Sequence, residues 1–397
     1  GWGLTDDRAP VQRRQRSLTR AQLFAAAMIK YPTWYDPFHD RLCSYEEAAA
    51  TLTAQARAWQ DDHKGWVATD MRLWKRKHMQ QFFGHVKPVR FTRGAGARQK
   101  ATGVNSPVMR WGVGEDGTRV EDGFLRSRGL GANLIAPLSL ILDDIGIYYD
   151  ATRPSRLERL ITQAETLEAG ARLRAEALIA RIIDAKLSKY NLHTDPLPDL
   201  PKGRRILVPG QVADDASIRL GTDEISDNKA LLRAVRAANP AAVIIYKPHP
   251  DVTAGLRDGA VPDAAEIADV VLANADPIAA IDAVDEVWTM TSLLGFEALL
   301  RGKRVTCLGS PFYAHWGLTD DRAMPIPRRA ARVDLAGLVH ATLISYPRYR
   351  DPITCLPCPV EVIVDRIENN DIPPPGRRNR VLAKAQGLLA SYAFLWR

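Results

Sequence analysis

A lysine and a histidine framed by prolines, Lys247-Pro248-His249-Pro250, follow the apolar run AVIIYK at 242–247. The prolines remove backbone donors and stiffen the loop, holding a cation and an imidazole at a strand's carboxyl end, where they suit a phosphate or carboxylate. A rigid loop with a surface histidine is the plainer alternative. Thr291-Ser292 stand between the run EVWTM and the helical LLGFEALLRG. Ser292 is placed as a helix N-cap, and the same geometry turns free N–H groups and the positive end of the helix toward any nearby anion. Glu297 lies one and a half turns into that helix, within reach of ribose hydroxyls or of solvent. After ILVP, a Gly210-Gln211 turn leads to Asp214-Asp215, which either present a carboxylate to a substrate or serve as solvated turn formers. Glu121-Asp122-Gly123 is followed closely by Arg126-Ser127-Arg128. Such a cluster can pair a general acid/base with an anion clamp, or form a surface salt-bridge turn. The sequence contains no P-loop, HExxH or GxSxG pattern.

These groups need a frame. Strand signals fall at 206–209, 242–247, 269–273, 286–290 and 304–308, with helical segments at 227–239, 277–283 and 292–301. Alternation of short apolar strands with helices predicts an α/β fold with a parallel, doubly wound sheet, whose ligands sit at the carboxyl ends of the strands. The first half is less regular, with apolar runs at 86–91, 108–113 and 138–142, then a helical stretch from Pro154 to Tyr190 that should break at Gly170. Ser44 opens a capping box into a helix reaching about Gln60, and 61–65 read as a linker.

The chain also repeats itself. WGLTDDR occurs at 2–8 and again at 316–322; Leu18–Tyr31 matches Leu335–Tyr346 in apolar pattern, and YPTWYDP at 31–37 matches YPRYRDP at 346–352. A period above 300 residues is the size of a whole module rather than of a solenoid repeat.

Composition sets the outer limits. At 397 residues, 46% hydrophobic and 25% charged, the chain suits a soluble globular protein, and it has no apolar stretch long enough to span a bilayer. The net charge of +8 favours anionic partners without choosing among them. Four cysteines and the lack of a signal-peptide pattern suit a reducing cytosol, and the lone Cys355/Cys358 pair lacks the further ligands of a zinc site. The basic run at 72–77 reads as an amphipathic helix for anionic lipid. No nucleic-acid-binding motif accompanies it.

Taken in order, EDGFLRSRGLG, PLSLILDDIGIYYDATRPSRLE, SKYNL, ILVPGQVADDASI, YKPHPDV, MTSLLGFEALLRGK and PFYAHWGLTDD resemble the KpsC-type capsular polysaccharide β-Kdo transferases from about residue 66 to 352. The resemblance implies a GT-B glycosyltransferase with two Rossmann-like domains across a cleft. It also implies a tandem protein of two modules that move Kdo, an eight-carbon acidic ketose, from CMP-β-Kdo with retention. The acceptor would be a Kdo-terminated linker on lysophosphatidylglycerol, made with the capsule assembly and export machinery at the cytoplasmic face of the inner membrane. The domains expected are 1–62 as the tail of a preceding module plus linker, 63–200 as the acceptor-side domain, 201–352 as the CMP-donor domain, and 353–397 as a helical tail. Carried over by motif, Asp215 is the nucleophile and Glu121 the acid/base. Lys247, His249, Pro250, Thr291, Ser292, Glu297 and Gln211 bind the donor, and Arg126, Ser127 and Arg128 touch substrate. No cofactor or metal is required. A non-catalytic module that binds acidic glycan or docks the assembly machinery is the alternative. One departure stands out: only eight residues separate Gly112 from Glu121, where the family carries a longer helical crossover.

Overall fold

A computed structural model describes residues 18–93, 101–112, 114, 117–129, 135–191 and 196–374. The first WGLTDDR copy and the end of the tail from 375 onward lie outside these residues. The strands are β1 (Trp34–Asp36), β2 (Arg41–Cys43), β3 (Val67–Thr69), β4 (Arg90–Thr92), β5 (Val108–Trp111), β6 (Thr118–Asp122), β7 (Ser139–Asp143), β8 (Arg205–Pro209), β9 (Val243–Lys247), β10 (Val270–Val271), β11 (Glu286–Thr289), β12 (Arg304–Cys307), β13 (Asp320–Asp321), β14 (Pro347–Arg350) and β15 (Pro357–Cys358).

The second half forms the sheet β10-β9-β8-β11-β12-β13, parallel at every pairing. Its strands are apolar on both faces because helices cover both. Ile206, Val208, Ile244 and Tyr246 pack with Leu231, Leu232 and Val235 of the helix Asn228–Ala238. The alternate residues Leu207, Ile245 and Val287 share the other core with Ile278, Ile281 and Phe296.

The first half forms a mixed sheet, β15-β14-β7-β6-β5-β3-β4. β4, β3, β5 and β6 run parallel, whereas β7 and β14 are antiparallel to their neighbours. Only the six residues 112–117 join β5 to β6, too few for the dozen or more that a helical crossover between parallel strands takes. Gly112 and Gly117 supply the turn with φ of +71° and +84°. The unusual shortness seen in the sequence is therefore a connection without a crossover helix.

Three expectations about the elements need correcting. The long helical stretch breaks at Leu167-Glu168, with Gly170 inside the helix Ala169–Asp184; a glycine in a first turn costs little because the N–H groups there have no intrahelical partner. Residues 61–65 are not a loose linker. The helix Tyr45–Asp62 runs into them, and buried Asp62 accepts from Trp66 Nε1 at 2.8 Å and forms a two-pronged pair with Arg348 at 2.9 and 2.8 Å. The chain also returns to the first sheet at β14, before the boundary drawn at 352, since Pro347–Tyr349 pair with Ser139–Ile141 of β7.

Candidate functional site

A cleft of about 1240 Å³ lies between the two sheets. Its lining includes Glu121, Asp122, Trp111, Tyr148 and Tyr149 from the first half. From the second come Gln211, Asp215, Lys247, His249, Pro250, Thr291, Ser292 and Glu297. An aromatic floor joins the halves: the ring centroid of Phe124 lies 4.7 Å from that of Phe312, 4.8 Å from Tyr148 and 6.4 Å from Phe296.

The parallel sheet supplies the cationic wall from its carboxyl edge, as strand order requires. Lys247 ends β9 and is 5% exposed; burial lowers its pKa. His249 caps the short helix Pro250–Thr253, its Nδ1 accepting from the Asp251 N–H at 3.1 Å. That bond places the neutral ring's proton on Nε2, which then donates. Burial also lowers the His249 pKa, so the ring is neutral at physiological pH. Ser292 caps the eight-residue helix Leu293–Leu300, and Tyr313 donates its hydroxyl to the Ser292 carbonyl. This approach requires Gly295, because a Cβ there would lie 2.2 Å from the Tyr313 hydroxyl oxygen. Gln211 and Thr291 bond reciprocally, side-chain amide to hydroxyl at 2.8 Å and backbone N–H to amide oxygen at 2.9 Å. They tie the β8 and β11 loops together.

Asp215 caps the turn of helix Ala216–Gly221, its Oδ1 accepting from the Ser217 N–H at 2.9 Å. Opposite it, Glu121 is the penultimate residue of β6, its Oε1 accepting the Asp122 N–H at 3.0 Å. Burial raises the Glu121 carboxyl to about 7, against the opposing charge of Lys75. Glu297 is likewise raised by burial to about 7, and its Oε1 accepts the Lys189 N–H at 2.9 Å. One of its oxygens is thus committed to holding the first half's 188–190 loop against the second.

The sequence motifs Arg126, Ser127 and Arg128 do not line the cleft. Arg126 is buried and pairs with Asp122 at 2.8 Å. Ser127 donates to the Gly129 carbonyl at 2.6 Å, and Arg128 bonds Asn370. They brace the wall from behind. Asp143 is saturated by the N–H groups of Ile145, Gly146 and Arg156 and by the Tyr346 hydroxyl, and Asp144 pairs with Arg156. Among the described residues, no cluster of three or more His, Cys, Asp or Glu is arranged to hold a metal.

Two cations escaped the sequence reading. Lys75 was placed on a lipid-facing helix, yet its Nζ lies 2.9 Å from the Trp111 ring centroid, and burial lowers its pKa to about 8 against the pull of Glu121 and Asp122. Lys189 lines the cleft as well. Burial opposes its charge, but Tyr190, Asp122 and Glu121 prevail and its pKa is raised. The conspicuous signal for Lys189 was SKYNL. Lys75 had none, because its basic run looks like any solvated helix face.

The chain matches the family described as capsule polysaccharide biosynthesis protein over residues 117–200 and 168–349. It is 42% identical over 381 residues to the capsule polysaccharide modification protein LipA of Neisseria meningitidis serogroup B, a match covering 89% of this chain and 53% of the relative. With the lipopolysaccharide-processing protein LpsZ of Rhizobium meliloti it shares 49% identity over 252 residues, covering 62% of this chain and 56% of the relative. The chain thus spans about half the length of the curated relatives it matches. Among solved structures, Thermosulfurimonas dismutans KpsC appears twice, as a β-Kdo 2,7 transferase and as a β-Kdo 2,4 transferase. The first superposes with a TM-score of 0.65 at 34% identity, covering 77% of this chain and 99% of that one; the second does so with 0.65 at 32%, covering 77% and 98%.

Proposed function

Since the chain belongs to the capsule polysaccharide biosynthesis protein family, we propose that its cleft is the active site of a retaining β-Kdo glycosyltransferase of GT-B type. The observation that carries this reading is the meeting, in one cavity, of two carboxylates with a lysine, a neutral histidine and a helix N-terminus. The likeness to two Kdo transferases at above 30% identity supports the sugar.

The donor in this reading is CMP-β-Kdo. Its phosphate sits against Lys247, His249 Nε2 and the amino end of Leu293–Leu300, which together stabilise the charge that develops as CMP departs. This charge supply needs no metal. An Asp215 carboxylate oxygen attacks the anomeric carbon, and the bond from that carbon to the CMP phosphate oxygen breaks, CMP leaving with the electron pair. The acceptor's hydroxyl oxygen then attacks the same carbon, its proton passes to Glu121, and the bond to Asp215 breaks. Two inversions give net retention. Glu121 suits the base role because a carboxylate titrating near neutrality is strong enough to take the proton and is still about half ionised there.

The acceptor would be a Kdo-terminated linker on lysophosphatidylglycerol, reached from the cytoplasmic face of the inner membrane. Among the described residues, no helix is long and apolar enough to cross a bilayer.

Incubation with CMP-Kdo and a synthetic Kdo-terminated acceptor, with NMR of the product, tests the reading and gives the linkage. Asp215→Ala is expected to lower transfer by roughly three orders of magnitude or more while CMP still binds. Full activity of that variant would sink the nucleophile assignment. Glycan binding by the native chain without any transfer would favour the non-catalytic alternative.

A further inference from the structure

The residues SKYN at 188–191 form a turn that is pinned to both halves of the molecule. Ser188 and Asn191 bond reciprocally: the Ser188 N–H donates to Asn191 Oδ1 and the Asn191 N–H to Ser188 Oγ, both at 3.0 Å. The Asn191 amide nitrogen donates to the Ser127 carbonyl at 3.1 Å. The Lys189 carbonyl accepts from the N–H groups of Arg126 and Ser127 at 3.1 and 3.3 Å, and the Tyr190 carbonyl from that of Gly129 at 2.7 Å. From the other half, Glu297 takes the Lys189 N–H. The backbone of the turn is therefore fixed, whereas the ammonium it presents to the cleft is not. Among the described residues, Lys189 Nζ makes no hydrogen bond or ion pair, and its ring contact is with Tyr190, 5.3 Å from the centroid. A cation kept from bulk water without a partner costs free energy, which a bound counter-charge offsets.

The place of this ammonium says which anion it suits. Among the other cations lining the cleft, Arg257 pairs with Asp214, Arg72 is exposed to solvent, and Lys247 belongs to the wall assigned to the phosphate. The Lys189 charge reaches both walls. It works against the burial that raises Glu121, and it adds to the burial that lowers His249. In the transferase reading, on which this inference rests, the anomeric carbon lies where Asp215, Glu121 and the phosphate on His249 converge. In an aldose that carbon bears a hydrogen; in a 2-ulosonic acid it bears a carboxylate, one bond away. An anionic sugar brought against two carboxylates is repelled unless a cation stands beside it.

We propose that Lys189 Nζ binds the carboxylate on the anomeric carbon of the donor sugar, and so makes the cleft selective for an acidic ketose over a neutral sugar. The ammonium donates to a carboxylate oxygen, a charge-assisted contact that turns the anomeric carbon toward Asp215. This role also gives Arg126 and Ser127 a purpose outside the cleft. Their N–H groups hold the Lys189 carbonyl, and with it the reach of the ammonium.

Two measurements on the whole 397-residue chain test the assignment. In the first, the chain saturated with CMP is titrated with the methyl β-glycoside of Kdo and with its C1 amide, followed by NMR. The native chain is expected to bind the acid about tenfold more tightly than the amide. Lys189→Met should erase that preference and Lys189→Arg keep part of it, while CMP binds all three proteins equally. In the second, transfer from CMP-Kdo to a Kdo-terminated acceptor is followed. The donor KM should rise about a hundredfold in Lys189→Met, with the acceptor KM unmoved. An acid preference that survives in Lys189→Met, no preference in the native chain, or weaker CMP binding by that variant would overturn the proposal. So would a rise confined to the acceptor KM, which would put Lys189 on the acceptor's acid instead. A Lys189-dependent acid preference in a native chain that transfers nothing would uphold this assignment and bring down the transferase reading. Transfer without that dependence would do the reverse.

Discussion

Glu121 and Lys75 face each other across a strand and a helix, and each is shaped by the other's charge. Burial alone would drive both toward neutrality. Their attraction limits this, leaving the carboxyl at about 7 and the ammonium at about 8. If Glu121 takes the acceptor's proton, it must be ionised, and transfer should rise with pH through about 7. Lys75→Met removes the charge that favours the carboxylate, so the rising limb should move to higher pH; Lys75→Arg, which keeps the charge, should leave it closer to the native position. A pH–rate profile of the three proteins checks this. An unmoved limb in the methionine variant would show that Lys75 does not act on Glu121. His249 illustrates the other half of residue-scale chemistry. Its proline-framed loop makes it a helix cap first, and the cap bond at Nδ1 in turn fixes which nitrogen can donate to an anion.

At the scale of elements, the helix Leu293–Leu300 serves both halves. Its amino end faces the cleft, and one turn later Glu297 receives the Lys189 N–H from the other half. Burial lifts the Glu297 carboxyl from 4.5 to about 7, so folding favours the protonated form. That contribution is present below about pH 4.5 and lost as pH rises through 7. Glu297→Gln stays neutral and can still accept the Lys189 N–H. It is expected to be more stable than the native chain at pH 8, on the order of 1–3 kcal/mol, with almost no gain near pH 4. Urea unfolding at the two pH values measures the difference; an equal gain at both would show that packing, not charge, is responsible. The 112–117 connection makes a different elemental point. Six residues are too few for a crossover helix, and Gly112 lies open beside the carboxylate: a Cβ there would sit 3.6 Å from the Tyr149 hydroxyl oxygen and 4.0 Å from Glu121 Oε2.

For the whole molecule, the decisive event is the return of the chain. After building the parallel sheet, it crosses back to add β14 to the first one. One continuous core then runs from Ile141, Leu157 and Phe124 to Phe296, Phe312 and Val305. Two halves that share a core and exchange a strand should unfold together. Equilibrium urea unfolding followed by tryptophan fluorescence and by far-ultraviolet circular dichroism is expected to give one coincident transition; separated transitions would show that each half holds itself together.

Much of the fold is legible in the sequence. The strands and helices predicted for the second half stand within two residues of their predicted ends, because short apolar strands alternating with amphipathic helices leave few other packings. The repeat at 18–31 and 335–346 announced a shared local fold, since local hydrogen bonds and hairpin register depend mainly on nearby residues. The residues quoted as donor-binding, with Asp215 and Glu121, also meet in one cleft. What the sequence could not carry was anything set by distant neighbours. β3 and β6 are short and carry little alternation of their own; buried Arg119 looks exposed until it is seen bonded to the Gly114 and Gly117 carbonyls. Asp62 reads as a linker acid until Arg348, 286 residues later, reaches it. Lys75 reads as a surface charge until Trp111 and Glu121 close over it. Periodicity and motif order are properties of neighbouring residues and therefore visible along the chain. Burial, partnering and the pKa changes that follow from them depend on which remote segments come together, and only the tertiary structure decides that.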